Sequence, residues 1–251
     1  MSLRARTGLF LVSGPVLLVV LLVGFGGLPD FGHYIGPYGK VLNLIAVPQR
    51  HATDVVTAVN FDYRAFDTMG EEFILFAAVL GLAVILRSMR DERERPSHTA
   101  SDEHQFGEPS SLLRVFGTAL VGVTLVLGMY IVTHGTLTPG GGFQGGLILA
   151  AALLVVFLVG EYLAMQFVAP HVMVEFGEAA GAAGYVLVGL GGLIFASIFF
   201  KNFIGLGSAG HIISAGTMPI SNIAVGIEVA GAFVLLWTEF LDQALVIRGG
   251  E

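Results

Sequence analysis

No cysteine occurs among the 251 residues, which removes disulfides, thiolate metal sites and cysteine nucleophiles together. No set of histidines at helical ligand spacing stands in for them, so neither a metal nor another cofactor is expected. Charge is scarce as well. Asp, Glu, Lys and Arg make up 12% of the chain and sum to −7, and that acidic balance leaves no electrostatic basis for binding nucleic acid. A Ser/His/Asp arrangement, a phosphate-binding glycine loop with its lysine and a dinucleotide fingerprint are all missing, so the chain is not expected to be an enzyme. No convincing internal repeat of the kind many secondary transporters carry is visible, which argues against a stand-alone transporter or channel.

What fills the sequence is apolar: 55% of residues are hydrophobic, and the mean hydropathy of +0.81 is too high for a soluble domain of this length. Windows of about 20 apolar residues, enough to cross the bilayer, lie near 8–28, 71–88, 112–134, 143–166, 179–200 and 217–241. The predicted fold is all-α, a polytopic membrane protein with about six transmembrane helices. The first window follows Arg4 and Arg6, and no small-residue cleavage site precedes Pro29, so a retained helix is expected rather than a signal peptide.

Arg4, Arg6, Arg87, Arg90, Arg93, Arg95, Arg114 and Arg248 fall on one side if both termini are cytoplasmic, leaving Lys40, Arg50, Arg64 and Lys201 opposite. Six crossings with both ends inside satisfy the positive-inside rule. The stretch 91–111 is polar, mixed in charge and broken by Pro96 and Pro109, the composition of a linker. It separates a module of residues 1–90 from one of residues 112–251. Before the second span, Val55, Val56, Val59, Phe61 and Phe66 recur among Asp54, Asn60, Asp62, Arg64 and Asp67. That pattern predicts a short amphipathic helix, either interfacial or re-entrant where protein covers it.

An ionisable group inside a membrane helix is expensive and is by default a functional candidate. Glu228 lies near the middle of the last span and leads the candidates, with protonated or hydrogen-bonded packing glue as its plainer role. Glu71 and Glu72 open the second span; helix capping accounts for one of them. Adjacent residues point about 100° apart, so at most one faces an interior path. Glu175 and Glu178 read as a solvated or headgroup-level pair one turn apart. Glu161 and Glu239 lie near span ends, where a wet environment explains them. Lys201, at the end of the fifth span, is placed to snorkel to the interface or to pair with an acid of a neighbouring protein in a complex. His134 is placed to shuttle protons near neutral pH, or to form interfacial hydrogen bonds. Glycines 177, 181, 184, 189, 191 and 192 give the fifth span a face small enough for close helix approach.

The most distinctive segment is Thr138-Pro139-Gly140-Gly141-Gly142-Phe143-Gln144-Gly145-Gly146, which sets glycine-rich backbone at the edge of the fourth span. Irregular backbone at membrane depth must be buried in protein or line a cavity. Together with Ser214-Ala215-Gly216-Thr217-Met218-Pro219 and Asn222-Ile223-Ala224-Val225-Gly226-Ile227-Glu228-Val229, it makes residues 112–251 resemble the B-type subunit of the multisubunit Mrp/Mnh-type cation/proton antiporters. The run from Phe61 to Glu71, FDYRAFDTMGE, is similar to a stretch at the C-terminal end of the large A-type subunit of those antiporters. The related piece in membrane-bound hydrogenases is a separate small subunit, so this chain looks like a fusion of neighbouring components.

The resemblance implies an accessory subunit of a multisubunit Na⁺/H⁺ antiporter in a prokaryotic plasma membrane. Its partners would be the other membrane subunits and the lipid bilayer, and it would help to line a path for Na⁺ or another monovalent cation and H⁺. By resemblance, Pro139, Gly140, Gly141, Gly142 and Phe143 form the family's PGGGF motif. Glu228 falls on the glutamate of its VGxEV motif, and Glu71 on that of the other module. Where the B-type antiporter subunits commonly have a His-Asn pair before that motif, this chain has His134-Gly135-Thr136-Leu137-Thr138. That variant looks closer to hydrogenase-associated members and implies, as the alternative, a membrane-arm subunit of a membrane-bound hydrogenase or related respiratory complex.

Overall fold

The computed structural model describes residues 3–28, 36–90 and 110–248, so the 91–111 linker lies almost wholly outside the described residues. Among those described, every regular element is helical. Two compact units are formed, residues 1–41 and 42–251. The first holds α1 (Leu3–Gly26), whose apolar stretch Phe10–Gly26 is shorter than the other spans.

In the second unit, α4 (Ala65–Arg90), α5 (Ser111–Thr133), α6 (Gly142–Val168), α7 (His171–Ala196) and α8 (Met218–Arg248) are each long and apolar enough to cross a membrane. With α1, about six crossings result. Ahead of α4, the predicted single short helix is two pieces: α2 (Pro37–Arg50), then α3 (Val55–Ala58) running into a π-helical turn at Val59–Tyr63. Asp54 starts α3 by accepting hydrogen bonds from the backbone N–H of Val56 (3.3 Å) and Thr57 (3.1 Å).

This pre-α4 segment is covered by protein. The Thr53 and Asp54 amides donate to the Thr136 carbonyl at 3.0 and 3.1 Å. The Thr57 hydroxyl donates to the Gly135 carbonyl at 2.6 Å, and that of Thr53 to the Leu137 carbonyl at 2.7 Å. The α5–α6 turn thus finds in this segment the partners its irregular backbone needs. Arg50 pairs with Asp62 and lies 4.9 Å over the Tyr63 ring. Burial pushes the Asp62 carboxyl above the usual carboxylate range, while the Arg50 guanidinium pulls it back down.

Helix α8 is the centre of the second unit: 61% of its apolar window is buried, against 17% for α4 and α5 and 28% for α6 and α7. Helices α4, α6 and α7 pack on it, and α5 packs on α6. The glycines of the distinctive segment explain the fit of α6. A side chain at Gly146 would meet the Gly226 carbonyl at 2.7 Å, and one at Gly142 would strike Asn222 and Val225, so this face lies on α8. Gly145 instead faces Val132 and the Gly128 carbonyl of α5. One glycine cluster therefore wedges α6 between two neighbours by close backbone approach.

Helix α7 begins at His171, earlier than the hydropathy window, because Pro170 sets the start and helical bonding runs on through the glutamates. It ends at Ala196, where Ser197 turns left-handed at φ 62°. Of its small-residue face, Gly177, Gly181 and Gly184 approach α8, but Gly189, Gly191 and Gly192 accommodate Phe199, Phe200, Phe203 and the backbone of the following loop. That loop returns over the helix end: the Phe200 amide donates to the Gly189 carbonyl at 3.2 Å, and the Ala215 amide to the Leu206 carbonyl at 2.8 Å.

Candidate functional site

Three carboxylates converge where α4 and α7 meet α8. On α8 a stripe at helical spacing, Ser221, Val225, Glu228, Ala232, Leu235 and Glu239, is buried along its length, and Glu228 within it is 0% exposed. On α4 the buried stripe is Ala65, Thr68, Glu72 and Val79. On α7 it is Glu178, Gly181, Tyr185 and Gly189. Glu228 lies within electrostatic reach of Glu72 on α4 and of Glu178 on α7.

The α7–α8 crossing explains how two acids reach the interior together. Both helices carry Glu-x-x-Gly, as Glu178 to Gly181 and Glu228 to Gly231. The pairing is reciprocal. A side chain at Gly181 would meet the backbone of Glu228, and one at Gly231 would meet the Glu178 amide at 2.9 Å and its Cβ at 3.0 Å. Antiparallel backbones in such close contact carry each glutamate to the other helix's glycine.

Neither carboxylate oxygen of Glu228, nor one oxygen each of Glu72 and Glu178, has a hydrogen-bond partner of good geometry among the described residues. An isolated charge in such surroundings is unfavourable by several kcal/mol or more. Three negative charges together are worse, so protons or a cation must neutralise the cluster. It is chemically suited to bind and release small cations and carries no nucleophile–base pair.

Of the residues singled out from sequence, Glu228 occupies the centre of this site. Glu71 is exposed and Glu72 faces inward in its place. Glu178, expected to be solvated, is 6% exposed, whereas its neighbour Glu175 is exposed as expected. His134 caps α5 with local bonds and stacks on Tyr130 at 4.0 Å between ring centroids. Lys201 is exposed in the loop beyond the end of α7.

Pro139 to Phe143 form a packing element. Gly140 and Gly141 take φ of 157° and 134°, open only to glycine at low cost. The Gly142 amide donates to Asn222 Oδ1 at 2.8 Å, and Asn222 Nδ2 donates to the Met218 carbonyl at 3.3 Å. Phe143 packs edge-on against Phe233, with 6.3 Å between centroids. Asn222 thus holds the start of α6 two turns before Glu228 on α8, a role its side chain alone did not announce. Tyr185, 1% exposed, places its hydroxyl near Thr68 and Glu72 and donates to the Ala65 carbonyl at 3.0 Å.

Comparison with known proteins agrees with this architecture. Residues 112–235 match the family model described as a domain related to the MnhB subunit of Na⁺/H⁺ antiporter. An uncharacterized protein of Methanocaldococcus jannaschii is 34% identical over 189 residues, spanning 69% of this chain and 71% of that protein. Among solved structures, a chain of the membrane-bound sulfane sulfur reductase, an archaeal respiratory membrane complex, superposes with a TM-score of 0.73 and 30% identity. The match covers 94% of this chain and 98% of that one. A chain of the Mrp complex from Dietzia sp. DQ12-45-1b superposes with a TM-score of 0.72 and 27% identity, over 95% of this chain but 26% of that longer one. Both structural neighbours are parts of multisubunit membrane assemblies. With its glycine wedge, its motif-borne Glu228 and its apolar spans, the chain is a multi-pass membrane protein belonging to the family related to the MnhB subunit of Na⁺/H⁺ antiporters.

Proposed function

We propose that this chain is an accessory, non-catalytic subunit of a multisubunit complex in a prokaryotic cell membrane that exchanges Na⁺ or another monovalent cation for protons. In this reading Glu228, with Glu72 and Glu178, lines the cation or proton path, and both termini are cytoplasmic by the distribution of arginine. The observation that carries it is Glu228 itself, 0% exposed beside the Glu72 carboxyl, with no hydrogen bond of good geometry to either carboxylate oxygen among the described residues. A group retained for packing alone would have its hydrogen bonds satisfied.

The test is Glu228→Gln in the assembled complex, which keeps the shape and removes the charge. Exchange should fall by about tenfold or more, the loss of a charge-assisted interaction of roughly 1.5–3 kcal/mol, with assembly retained. Unchanged exchange across pH in an intact mutant complex would refute the reading.

One observation favours a second reading. The match to the sulfane sulfur reductase chain runs over nearly all of both chains, so the parent assembly would be a redox-driven ion pump. Mass spectrometry of the chains that co-purify in mild detergent separates the two. Antiporter-like proteins alone support exchange, whereas iron–sulfur or nickel-bearing proteins support the redox complex.

A further inference from the structure

The carboxylate cluster lies between two packed layers of unequal thickness. Toward the N-terminal end of α8 stand Phe61, Tyr185, Phe200, Met218 and Val225, none more than 6% exposed, with the polar side chains of Ser214, Thr217, Ser221 and Asn222 buried at the same end. The hydroxyls of Tyr185 and Thr68, which border the cluster on this side, donate to backbone carbonyls. Tyr185 donates to the Ala65 carbonyl, and Thr68 to the Asn60 carbonyl at 2.7 Å. A peptide carbonyl accepts a hydrogen bond but relays no proton onward; the Thr68 contact anchors the π-helical turn and the Tyr185 contact the start of α4.

Toward the C-terminal end of α8 the layer is a single collar of Val79, Ala232 and Leu235, with Leu75 and Val174 against it. Polar groups resume immediately beyond. His171 Nδ1 lies 3.4 Å from Glu175 Oε1, and its Nε2 lies 3.7 Å from Glu239 Oε1, so one imidazole bridges acids of α7 and α8. Glu239 is 7% exposed and His171 is open to the surface. At about 1.5 Å of rise per residue, Leu235 stands about 10 Å and Glu239 about 16 Å beyond Glu228 along α8. Glu178, level with Gly231, is the intermediate step.

We infer that the buried carboxylates exchange protons or cations with one membrane face only, that carrying His171, Glu175 and Glu239, and that Val79, Ala232 and Leu235 form the constriction across this route. A collar about one helical turn thick gates by wetting and drying and needs only small displacements to open. The carboxylate–imidazole group collects the ion at the mouth. This inference rests on the reading of Glu228 as an ion-path residue, but its test does not depend on exchange activity.

The native chain has no cysteine, so single cysteines report access without background from this protein. Leu235→Cys, Val79→Cys and Val225→Cys are introduced separately into the complete complex in membrane vesicles of each orientation. A cationic, membrane-impermeant methanethiosulfonate is applied, and modification is read as a mass shift of this chain. Leu235→Cys and Val79→Cys should be modified from the face toward which α8 ends and not from the other, while Val225→Cys stays unmodified from both. Modification of Val225→Cys from the opposite face, or failure of both collar variants in assembled complexes to react from either face, overturns the inference. Neither result bears on Glu228→Gln, whose exchange assay tests the underlying reading separately.

Discussion

Gly181→Ala adds one methyl group at the point where α7 touches the turn of α8 that bears Glu228. The new Cβ would lie 2.6 Å from the Ala224 carbonyl oxygen and 2.7 Å from Glu228 Cα. Non-bonded carbon contacts settle at about 3.5–4.0 Å. The obstacle is backbone, which cannot swing aside as a side-chain tip can, so the helices must part by about 1 Å. Parting them also loosens the reciprocal contact of Gly231 with Glu178, because both contacts belong to one crossing. Overpacking of this kind costs about 1–3 kcal/mol, or roughly five- to 150-fold in the equilibrium between the retained and the released chain. Gly184→Ala, on the same helix face, is the control: its Cβ meets only Ala224 Cβ, at an ordinary 3.4 Å. There the helix-favouring effect of alanine, about 0.5–1 kcal/mol, acts without a clash. The assay is retention of this chain in the solubilised complex over a temperature series, with exchange measured on what remains intact. Gly181→Ala should lower the retention temperature and Gly184→Ala should not. Equal behaviour of the two would show that the crossing is not the close backbone contact described.

Glu72→Gln should reduce exchange as Glu228→Gln does, whereas Glu71→Gln should leave it near the wild-type rate; the reverse order would mean that α4 presents the other face to α8. Asn222→Leu removes the acceptor of the Gly142 amide and leaves a buried donor unsatisfied, so the assembled complex should lose about 1–3 kcal/mol of stability, read as a lower melting temperature. Arg50→Ala withdraws the counter-charge that holds the buried Asp62 carboxyl down. Because the folded-state pKa of Asp62 already lies above its ordinary value, the penalty is present at neutral pH and lessens as pH falls through that pKa and the carboxyl takes up a proton. Thermal melts at neutral pH and at mildly acidic pH should show a larger deficit at the higher pH, and a deficit independent of pH would count against the pair.

The phase of each helix explains where sequence reasoning stopped. Glu71 and Glu72 are adjacent, and a rotation of about 100° separates them, so only the stripe that packs chooses between them. That stripe is written in α4 as Ala65, Thr68, Glu72 and Val79, but the motif of the resemblance ends on Glu71, on the face that this chain leaves exposed. Glu178 was hidden by its own charge. The glutamates lower the local hydropathy, so the apolar window opens after them although the helix starts at His171. Reading Glu178 with Gly181, Tyr185 and Gly189 as one face would have brought it inward.

Composition and period alone determined that the chain is helical, spans a membrane about six times, and carries a glutamate deep in its last span, because hydropathy and helix length are local properties. They also located the glycine wedge, since close backbone approach demands glycine. Only the tertiary structure decided which glutamates share one interior, because that depends on the angle and register at which α4 and α7 meet α8. Those angles are set by backbone contacts such as Gly181 against Glu228 and Gly142 against Asn222, between residues far apart in the chain, whose pairing no single stretch of sequence contains.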